Sequence, residues 1–357
     1  MKTICFFLGD VHGAGGISRV SWILANRLCD RFDVHVLSVY RNPLKKYEYR
    51  EEVRIDYLFD TCMPIHKRII SLSKATREYI QKNQIEVFIC AGEIYYIPSV
   101  LATIGLRTRL LCWEHSNVSV QGEHKFQNIC RRIGAVFADE IVTLTKADCE
   151  LYKKKYRVSN CQYIYNPVDD RLLTEVLYAQ SSRKIVSVGR LCYQKNFEEL
   201  IEIARIVLPA NPDWSWDIYG EGEARESLKN KIDEYGLNRY LTLKGNVPNL
   251  YEIYKEYSFL VMTSRFEGFP MTLLESTAQG IPSIAYDVLT GPNEIIIEGK
   301  TGYLISNGNR RKMIERIEEL ISNQQIRKAM SDECVKSRGR FECTRIVEQW
   351  SILLERL

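Results

Sequence analysis

The sequence predicts an α/β protein with two domains, each built on a doubly wound parallel β-sheet. Three observations predict this class. The chain has 357 residues, more than one hydrophobic core usually takes up. Short runs rich in Val, Ile and Phe alternate with helical patterns, which is typical of parallel sheets covered by helices on both faces. A polar stretch at 169–183 interrupts this alternation, and a new strand run begins at Lys184.

The apolar runs give the predicted strands in order. In the first half they are residues 4–8, 34–39, 54–58, 87–91, 109–113, 141–144 and 162–165, and in the second half 184–189, 216–219, 241–244, 259–263, 283–285 and 303–305. We therefore predict a Rossmann-like domain at 1–170, a linker at 171–183 and a second Rossmann-like domain at 184–340. A C-terminal helix at 341–357 is expected to pack back on the first domain. Such sheets bind ligands outside the carboxyl ends of their strands, so the interdomain cleft is the expected site.

Composition excludes several classes of protein. The eleven cysteines contain no C-x-x-C pair, which argues against a disulfide framework and a zinc site and favours a reducing compartment. No apolar stretch approaches the roughly 18 residues of a membrane-spanning helix. Residues 1–180 hold 25 Lys and Arg against 20 Asp and Glu, a balance of +5. This bias is too weak to predict nucleic-acid binding but suits a face resting on an anionic membrane.

The stretch "GDVHGAGGISRV" follows the first strand and opens a helix. It does not meet the dinucleotide pattern G-x-G-x-x-G, and no acid ends the second strand, so a nicotinamide enzyme is disfavoured. Gly15 and Gly16 still bring backbone N–H groups and a helix N-terminus to the expected cleft, where a phosphate or sugar could bind. A tight turn without a ligand is the alternative.

Two acids flank a loop–helix junction in "SRFEGFPMTLLESTAQGIP". Gly268 permits close approach of a ligand, and Pro270 is expected at the first helical position. Glu267 in the loop can accept hydrogen bonds from sugar hydroxyls, and Glu275 on the helix from both hydroxyls of a ribose. The alternative is a helix-start acid and a solvated one.

Two cations follow the first strand of the second half. Arg190 and Lys195 in "VGRLCYQKN" suit a diphosphate, and Gly220 in "DIYGEGEAR" marks another strand–helix turn. In the first half, "WEHSN" places His115 beside other polar residues directly after a buried run. A satisfied structural histidine is the alternative there.

The ordered combination of these motifs resembles glycosyltransferase family 4, the retaining transferases of the GT-B fold. It comprises the double glycine, G-R-L with a following Lys-Asn, G-x-G, E-G-F-P-x-x-x-x-E and the ending E-I-I…G-x-x-G-Y-L. "EHSN" is similar to a motif of transferases that extend lipid-linked oligosaccharides in bacterial glycan, capsule or lipopolysaccharide assembly. Pro292 stands where many members have a second glycine, which leaves the contribution of Asn293 and Glu294 open.

The resemblance implies roles for individual residues. Arg190 and Lys195 would bind the donor diphosphate and Glu275 the ribose. His115 would lie under the donor sugar. The remaining donor-side positions are Gly15, Gly16, Gly220, Glu267, Gly268, Phe269, Pro270 and Met271, and the acceptor-side positions are Gly16, Ser116 and Asn117. The residues expected in catalysis are His115, Glu267, Arg190 and Lys195.

The implied activity is transfer of a hexose or N-acetylhexosamine from a nucleotide sugar, a UDP-sugar by expectation, to a lipid-linked glycan. No metal or other cofactor is expected, because the sequence has no D-x-D. An epimerase of the same fold, a transferase for soluble acceptors and a non-catalytic sugar binder are the alternatives. We expect a cytoplasmic protein, peripheral on the inner face of the cell membrane. Basic clusters at 66–68, 131–132 and 153–155 would contact anionic lipid.

Overall fold

The computed structural model describes residues 1–13, 15–44, 46–62, 64–118, 125–173, 178–247 and 250–357, and only the backbone of His66. The chain divides into two compact units. The first domain comprises Met1–Pro167 together with Cys343–Leu357, and the second comprises Val168–Glu342. The predicted linker at 171–183 lies partly outside the described residues.

The first domain contains a parallel sheet with seven strands among the described residues, in the order β3-β2-β1-β4-β5-β6-β7. These strands are β1 (Thr3–Leu8), β2 (Asp33–Tyr40), β3 (Arg54–Phe59), β4 (Val87–Ala91), β5 (Arg109–Glu114), β6 (Glu140–Thr143) and β7 (Cys161–Tyr163). The order reverses on either side of β1, which places the carboxyl ends of β1 and β4 at the topological switch point of a doubly wound sheet.

The second domain contains a parallel sheet with six strands in its described part, in the order β10-β9-β8-β11-β12-β13. These are β8 (Lys184–Val188), β9 (Ser215–Tyr219), β10 (Leu241–Gly245), β11 (Phe259–Met262), β12 (Ser283–Asp287) and β13 (Gly302–Ser306). Every predicted strand has a counterpart, and the prediction of two Rossmann-like parallel-sheet domains is confirmed.

Helices connect most consecutive strands, as is usual between parallel strands, but the described residues between β2 and β3 form no helix. The first domain holds α1 (Gly16–Leu28), α2 (Ile69–Lys82), α3 (Tyr96–Thr103), α4 (Lys125–Phe137), α5 (Lys146–Tyr156) and α13 (Cys343–Arg356). The second holds α6 (Phe197–Ala210), α7 (Arg225–Glu234), α8 (Leu250–Tyr254), α9 (Met271–Ala278), α10 (Pro292–Ile295), α11 (Arg310–Ser322) and α12 (Gln324–Ser337).

Buried aromatic side chains link the last helix to the first sheet. Trp350 on α13 lies 5.0 Å from Trp113 on β5 and 6.4 Å from Phe6 on β1, measured between ring centroids, and all three side chains are buried. Such aromatic contacts add to the free energy gained by apolar burial. Helix α13 is therefore part of the core of the first domain.

Candidate functional site

An ion pair joins two strand ends of the second sheet. Lys195 follows β8, Glu267 follows β11, and Lys195 Nζ lies 2.6 Å from Glu267 Oε1. The two side chains are only 16% and 6% exposed. Gln194 Nε2 adds a contact of 3.4 Å to Glu267 Oε2 and donates to the Phe266 carbonyl at 3.1 Å. The expected donor-side cation and acid are thus brought into direct contact.

Glycines allow the turns around this pair to approach closely. Gly220 has φ +141°, and a Cβ there would lie 1.9 Å from the Gly189 carbonyl oxygen. A Cβ on Gly189 would in turn lie 3.1 Å from the Lys195 side chain. The expected donor-side position Gly220 therefore supports the turn that carries the cations, because any side chain there would displace the neighbouring backbone.

Glu275 lies on α9 and is 2% exposed, which makes the solvated alternative wrong. The buried hydroxyl of Tyr254 donates to Glu275 Oε2 at 3.2 Å. The helix begins at Met271, so the prediction that Pro270 is the first helical residue is wrong: Pro270 is the N-cap, with ψ 102°, and its carbonyl accepts the first helical hydrogen bonds. Tyr254 lies 21 residues before its partner, and no motif in the sequence points to it.

The loop at 264–270 is tied to the neighbouring strand end. Thr290 Oγ1 donates to the Glu267 carbonyl at 2.7 Å, and a Cβ on Gly291 would lie 2.7 Å from the Gly268 carbonyl oxygen. Ser264 Oγ and Thr272 Oγ1 are buried at the two ends of this region and have no hydrogen-bond partner among the described residues. Buried polar atoms normally have partners, so each of these hydroxyls is open to a hydrogen bond with water or a polar ligand.

Arg190 differs from Lys195 in its surroundings. Its side chain is exposed and forms no ion pair among the described residues. Lys195, which sequence analysis treated as an equivalent cation, is instead held by Glu267. The structure thus offers one free and one paired cation within six residues.

The glycine-rich stretch of the first domain opens α1. Gly15 is the N-cap and Gly16 the first helical residue, and both are exposed. Asp10 shapes the preceding turn, since its carbonyl accepts the Gly13 N–H at 3.2 Å and its Oδ1 accepts the His12 N–H at 2.9 Å. Asn42 Nδ2 donates to Asp10 Oδ2 at 2.8 Å, a contact that sequence analysis missed.

His115 directly follows β5. Its ring lies 4.2 Å from the Trp113 ring, and its Nε2 is buried with no hydrogen-bond partner among the described residues. Burial lowers the pKa of His115 to about 3, so the ring is neutral at physiological pH. Ser116 is half-buried and Asn117 is buried. His115, Ser116 and Asn117 therefore form one short segment, while the remaining acceptor-side candidate, Gly16, lies at the start of α1.

A buried triad lies at the base of this segment. Glu114 binds Arg131 through Oε2 to Nε at 2.8 Å and Oε1 to Nη2 at 3.3 Å, and Glu93 Oε1 lies 3.9 Å from Arg131 Nη2. Burial raises the pKa of Glu114 to about 7, although Arg131 opposes the shift. Arg131 is 0% exposed. Its predicted contact with lipid is therefore wrong, because the side chain neutralises buried carboxylates instead.

Other features lie away from these residues or are not found. Two surface cavities of about 460 and 490 Å³ are lined by Arg109 and Arg183, respectively. These residues lie at the amino ends of β5 and β8, whereas the candidate residues follow the carboxyl ends of strands. Across the residues that the structure describes, no three His, Cys, Asp or Glu side chains group so as to hold a metal ion. No helix in the same part of the chain is long and apolar enough to cross a membrane.

Comparison with known families identifies the class of protein. Residues 14–172 match the family model Glycosyltransferase Family 4, and residues 174–336 match Glycosyl transferases group 1. The two models together span nearly the whole chain, one in each sheet domain. The protein therefore belongs to the glycosyltransferases that these two models describe, and it has the GT-B fold.

Individual relatives agree with this class. The chain is similar to an uncharacterized glycosyltransferase of Haemophilus influenzae, with 27% identity over 356 residues that cover 99% of this chain and 100% of the relative. It is 25% identical over 365 residues to the GalNAc-alpha-(1->4)-GalNAc-alpha-(1->3)-diNAcBac-PP-undecaprenol alpha-1,4-N-acetyl-D-galactosaminyltransferase of Campylobacter jejuni, covering 99% of this chain and 98% of that one. The crystal structure of HepE of Anabaena in complex with UDP shares the fold, with TM-score 0.85, 16% identity and full coverage of both chains.

Proposed function

We propose that the protein is a retaining glycosyltransferase that moves a hexose or N-acetylhexosamine from a UDP-sugar to a sugar hydroxyl of a lipid-diphosphate-linked glycan. The observation that carries the proposal is the Lys195–Glu267 pair, whose glutamate lies in the loop at 264–270 directly before the N-terminus of α9. The UDP bound to HepE supports the choice of donor, and the undecaprenol diphosphate in the name of the Campylobacter relative supports the choice of acceptor.

The residues have separate parts in the transfer. The bond from the sugar C1 to the diphosphate oxygen breaks, the acceptor oxygen bonds to C1 on the same face, and the acceptor proton passes to the leaving phosphate oxygen. Arg190 and Lys195 stabilise the charge that builds on this phosphate, together with the N-terminus of α9. Glu275 accepts the ribose hydroxyls, Glu267 those of the transferred sugar, and neutral His115 lies against the donor sugar.

The proposed chemistry needs no bound metal, since two cations and a helix N-terminus supply positive charge. Activity should therefore survive excess EDTA. A complete loss that magnesium or manganese restores would contradict this part of the proposal, because the cations would then be insufficient.

Two substitutions test the donor site. Arg190→Ala and Lys195→Ala should each reduce turnover by about 10²-fold, the usual effect of removing one contact to developing charge. Lys229→Ala, on the exposed face of α7, is the matched control and should retain turnover. Wild-type turnover in both site variants would refute the assignment. Conversion of the donor to an isomer without any acceptor would identify an epimerase instead.

The membrane contact is best assigned to α4. Residues Lys125, Ile129, Arg132 and Val136 are exposed and recur at the spacing of one helical face. Val136 is 67% exposed, and Ile70 on α2 and Ile104, which directly follows α3, are also exposed. Apolar side chains flanked by cations suit an anionic bilayer, to which each basic residue adds about 1 kcal/mol.

In the other predicted basic clusters, some of the cations make contacts within the protein. Lys155 Nζ donates to the Val118 carbonyl at 2.9 Å and to Asn128 Oδ1 at 3.1 Å. The His66 side chain lies outside the described residues. Arg68 lies over the Phe59 ring at 4.4 Å.

Vesicle sedimentation tests the surface. The protein should bind vesicles of anionic phospholipid at low salt and leave them at high salt. Ile129→Glu/Val136→Glu should abolish binding, while Ile206→Glu, at an exposed position on α6 of the second domain, should not. No binding at low salt, together with equal use of soluble and lipid-linked acceptors, would refute the membrane proposal.

A further inference from the structure

The triad of Glu93, Glu114 and Arg131, here called the clamp, occupies the carboxyl ends of β4 and β5 and the middle of α4. All three side chains are buried. Glu114 ends β5 directly before His115, and Arg131 reaches it with two nitrogens, at 2.8 and 3.3 Å. Gln127 Nε2 donates to Glu93 Oε1 at 2.9 Å, which fixes the second carboxylate. The clamp is therefore a bonded unit rather than a loose cluster of charges.

The clamp also holds the residue that follows His115. The Ser116 N–H donates to Glu114 Oε1 at 3.1 Å, and Ser116 Oγ donates to Glu93 Oε2 at 3.4 Å. The first of these bonds closes a turn across His115, because it runs from the side chain before the histidine to the backbone after it. Glu114 thus restrains the backbone that carries the imidazole, and Glu93 holds the side chain of the next residue.

Stability alone does not explain such a set of buried charges. Removing carboxylates and a guanidinium from water is expensive, and replacing a buried ion pair with apolar side chains of similar volume often leaves stability unchanged or raises it. Hydrogen bonds fix angles as well as distances, so they orient the groups that they join, which apolar packing does less well. Here the directed bonds end on Ser116, next to His115.

We propose that the clamp is a positioning element that fixes the backbone of residues 115–116 so that the His115 imidazole is held in place for sugar transfer. It acts on turnover and leaves donor affinity nearly unchanged, because no clamp residue is assigned to the nucleotide. The inference rests on the proposed function, in which His115 contacts the donor sugar. Misplacement of a reacting or contacting group by about 1 Å can cost about 10²-fold in rate.

The kinetics of two clamp variants and one control variant test this. Glu114→Gln and the apolar pair Glu114→Leu/Arg131→Met should lower kcat by about 10- to 10²-fold and change the donor KM by less than about 2-fold. The matched control is Glu199→Leu/Arg310→Met in the second domain, which removes a similar two-point ion pair with contacts of 2.9 and 2.6 Å. It should retain kcat. Glu114→Gln keeps the size of the side chain, so the test holds even if the apolar pair fails to fold.

A double-mutant cycle with His115 distinguishes positioning of the imidazole from a loss of activity that does not depend on it. His115→Gln should lower kcat, and adding Glu114→Gln to it should lower kcat little further, because there is no imidazole left to position. Full additivity, or wild-type kcat in both clamp variants, would overturn the inference while leaving the proposed function intact. Wild-type kcat in His115→Gln would instead overturn the role of His115 in the proposed function.

Discussion

Replacing Lys195 by methionine tests what the Lys195–Glu267 pair contributes to stability and what the Lys195 charge contributes to turnover. The paired atoms are 2.6 Å apart, and the side chains are 16% and 6% exposed. Breaking a buried pair by removing one partner costs about 3–5 kcal/mol, and Lys195 keeps some contact with water, so we expect about 2–3 kcal/mol. For a domain of this size that corresponds to a fall in Tm of about 4–12 °C.

A double-mutant cycle with thermal and urea denaturation measures this effect. Lys195→Met/Glu267→Leu should recover most of the lost stability, because no buried carboxylate is then left without its cation. Turnover should stay about 10²-fold below wild type in both variants, since the donor has lost a cation. Wild-type Tm in Lys195→Met, or a double variant as unstable as the sum of the single ones, would refute the reasoning.

Three further predictions concern single positions. Gly220→Ala should lower the free energy of unfolding by more than about 2 kcal/mol in a urea titration, because its Cβ would lie 1.9 Å from a carbonyl oxygen. Gly236→Ala is the control: no atom lies within 4 Å of its Cβ, so the substitution should cost only about 1 kcal/mol. Burial lowers the pKa of His115 to about 3, so the unfolded chain binds a proton at this histidine at a higher pH than the folded protein does. The free energy of unfolding should therefore fall as the pH drops below about 6.5, and it should fall less steeply in His115→Gln. Equal pH dependence of stability in the two proteins would contradict this. Glu275→Gln should weaken binding of free UDP in calorimetry, whereas Glu267→Gln should spare UDP and reduce transfer; equal losses of UDP affinity would contradict the division of roles.

The strands could be predicted because their signal is local. Runs such as Val87–Ala91 are apolar at every position, which is the pattern of a strand covered on both faces, and the structure places that run at the centre of the first sheet. Strand ends differ from prediction by at most two residues. The start of α9 differs by one, because Pro270 satisfies the geometry of a cap as well as that of a first turn.

The contacts within the candidate site could not be predicted in the same way. Lys195 and Glu267 are 72 residues apart, and Glu114 and Arg131 are 17 apart, so neither pair leaves a local pattern. In the sequence, Arg131 beside Arg132 indicates a solvated helix face, and only the structure shows that Arg131 has a buried partner. Motifs therefore identified the chemical groups, while only the fold revealed which of them neutralise each other.

The first domain is discontinuous, and this has a consequence for biosynthesis. Its core includes Trp350, which a ribosome adds only after all residues of both sheets have been made. Domains usually fold in the order of synthesis, but here the second domain has its whole sequence before the first does. A nascent chain released before residues 343–357 would carry a complete second domain and a first domain with Trp113 and Phe6 uncovered, a surface that chaperones and proteases recognise.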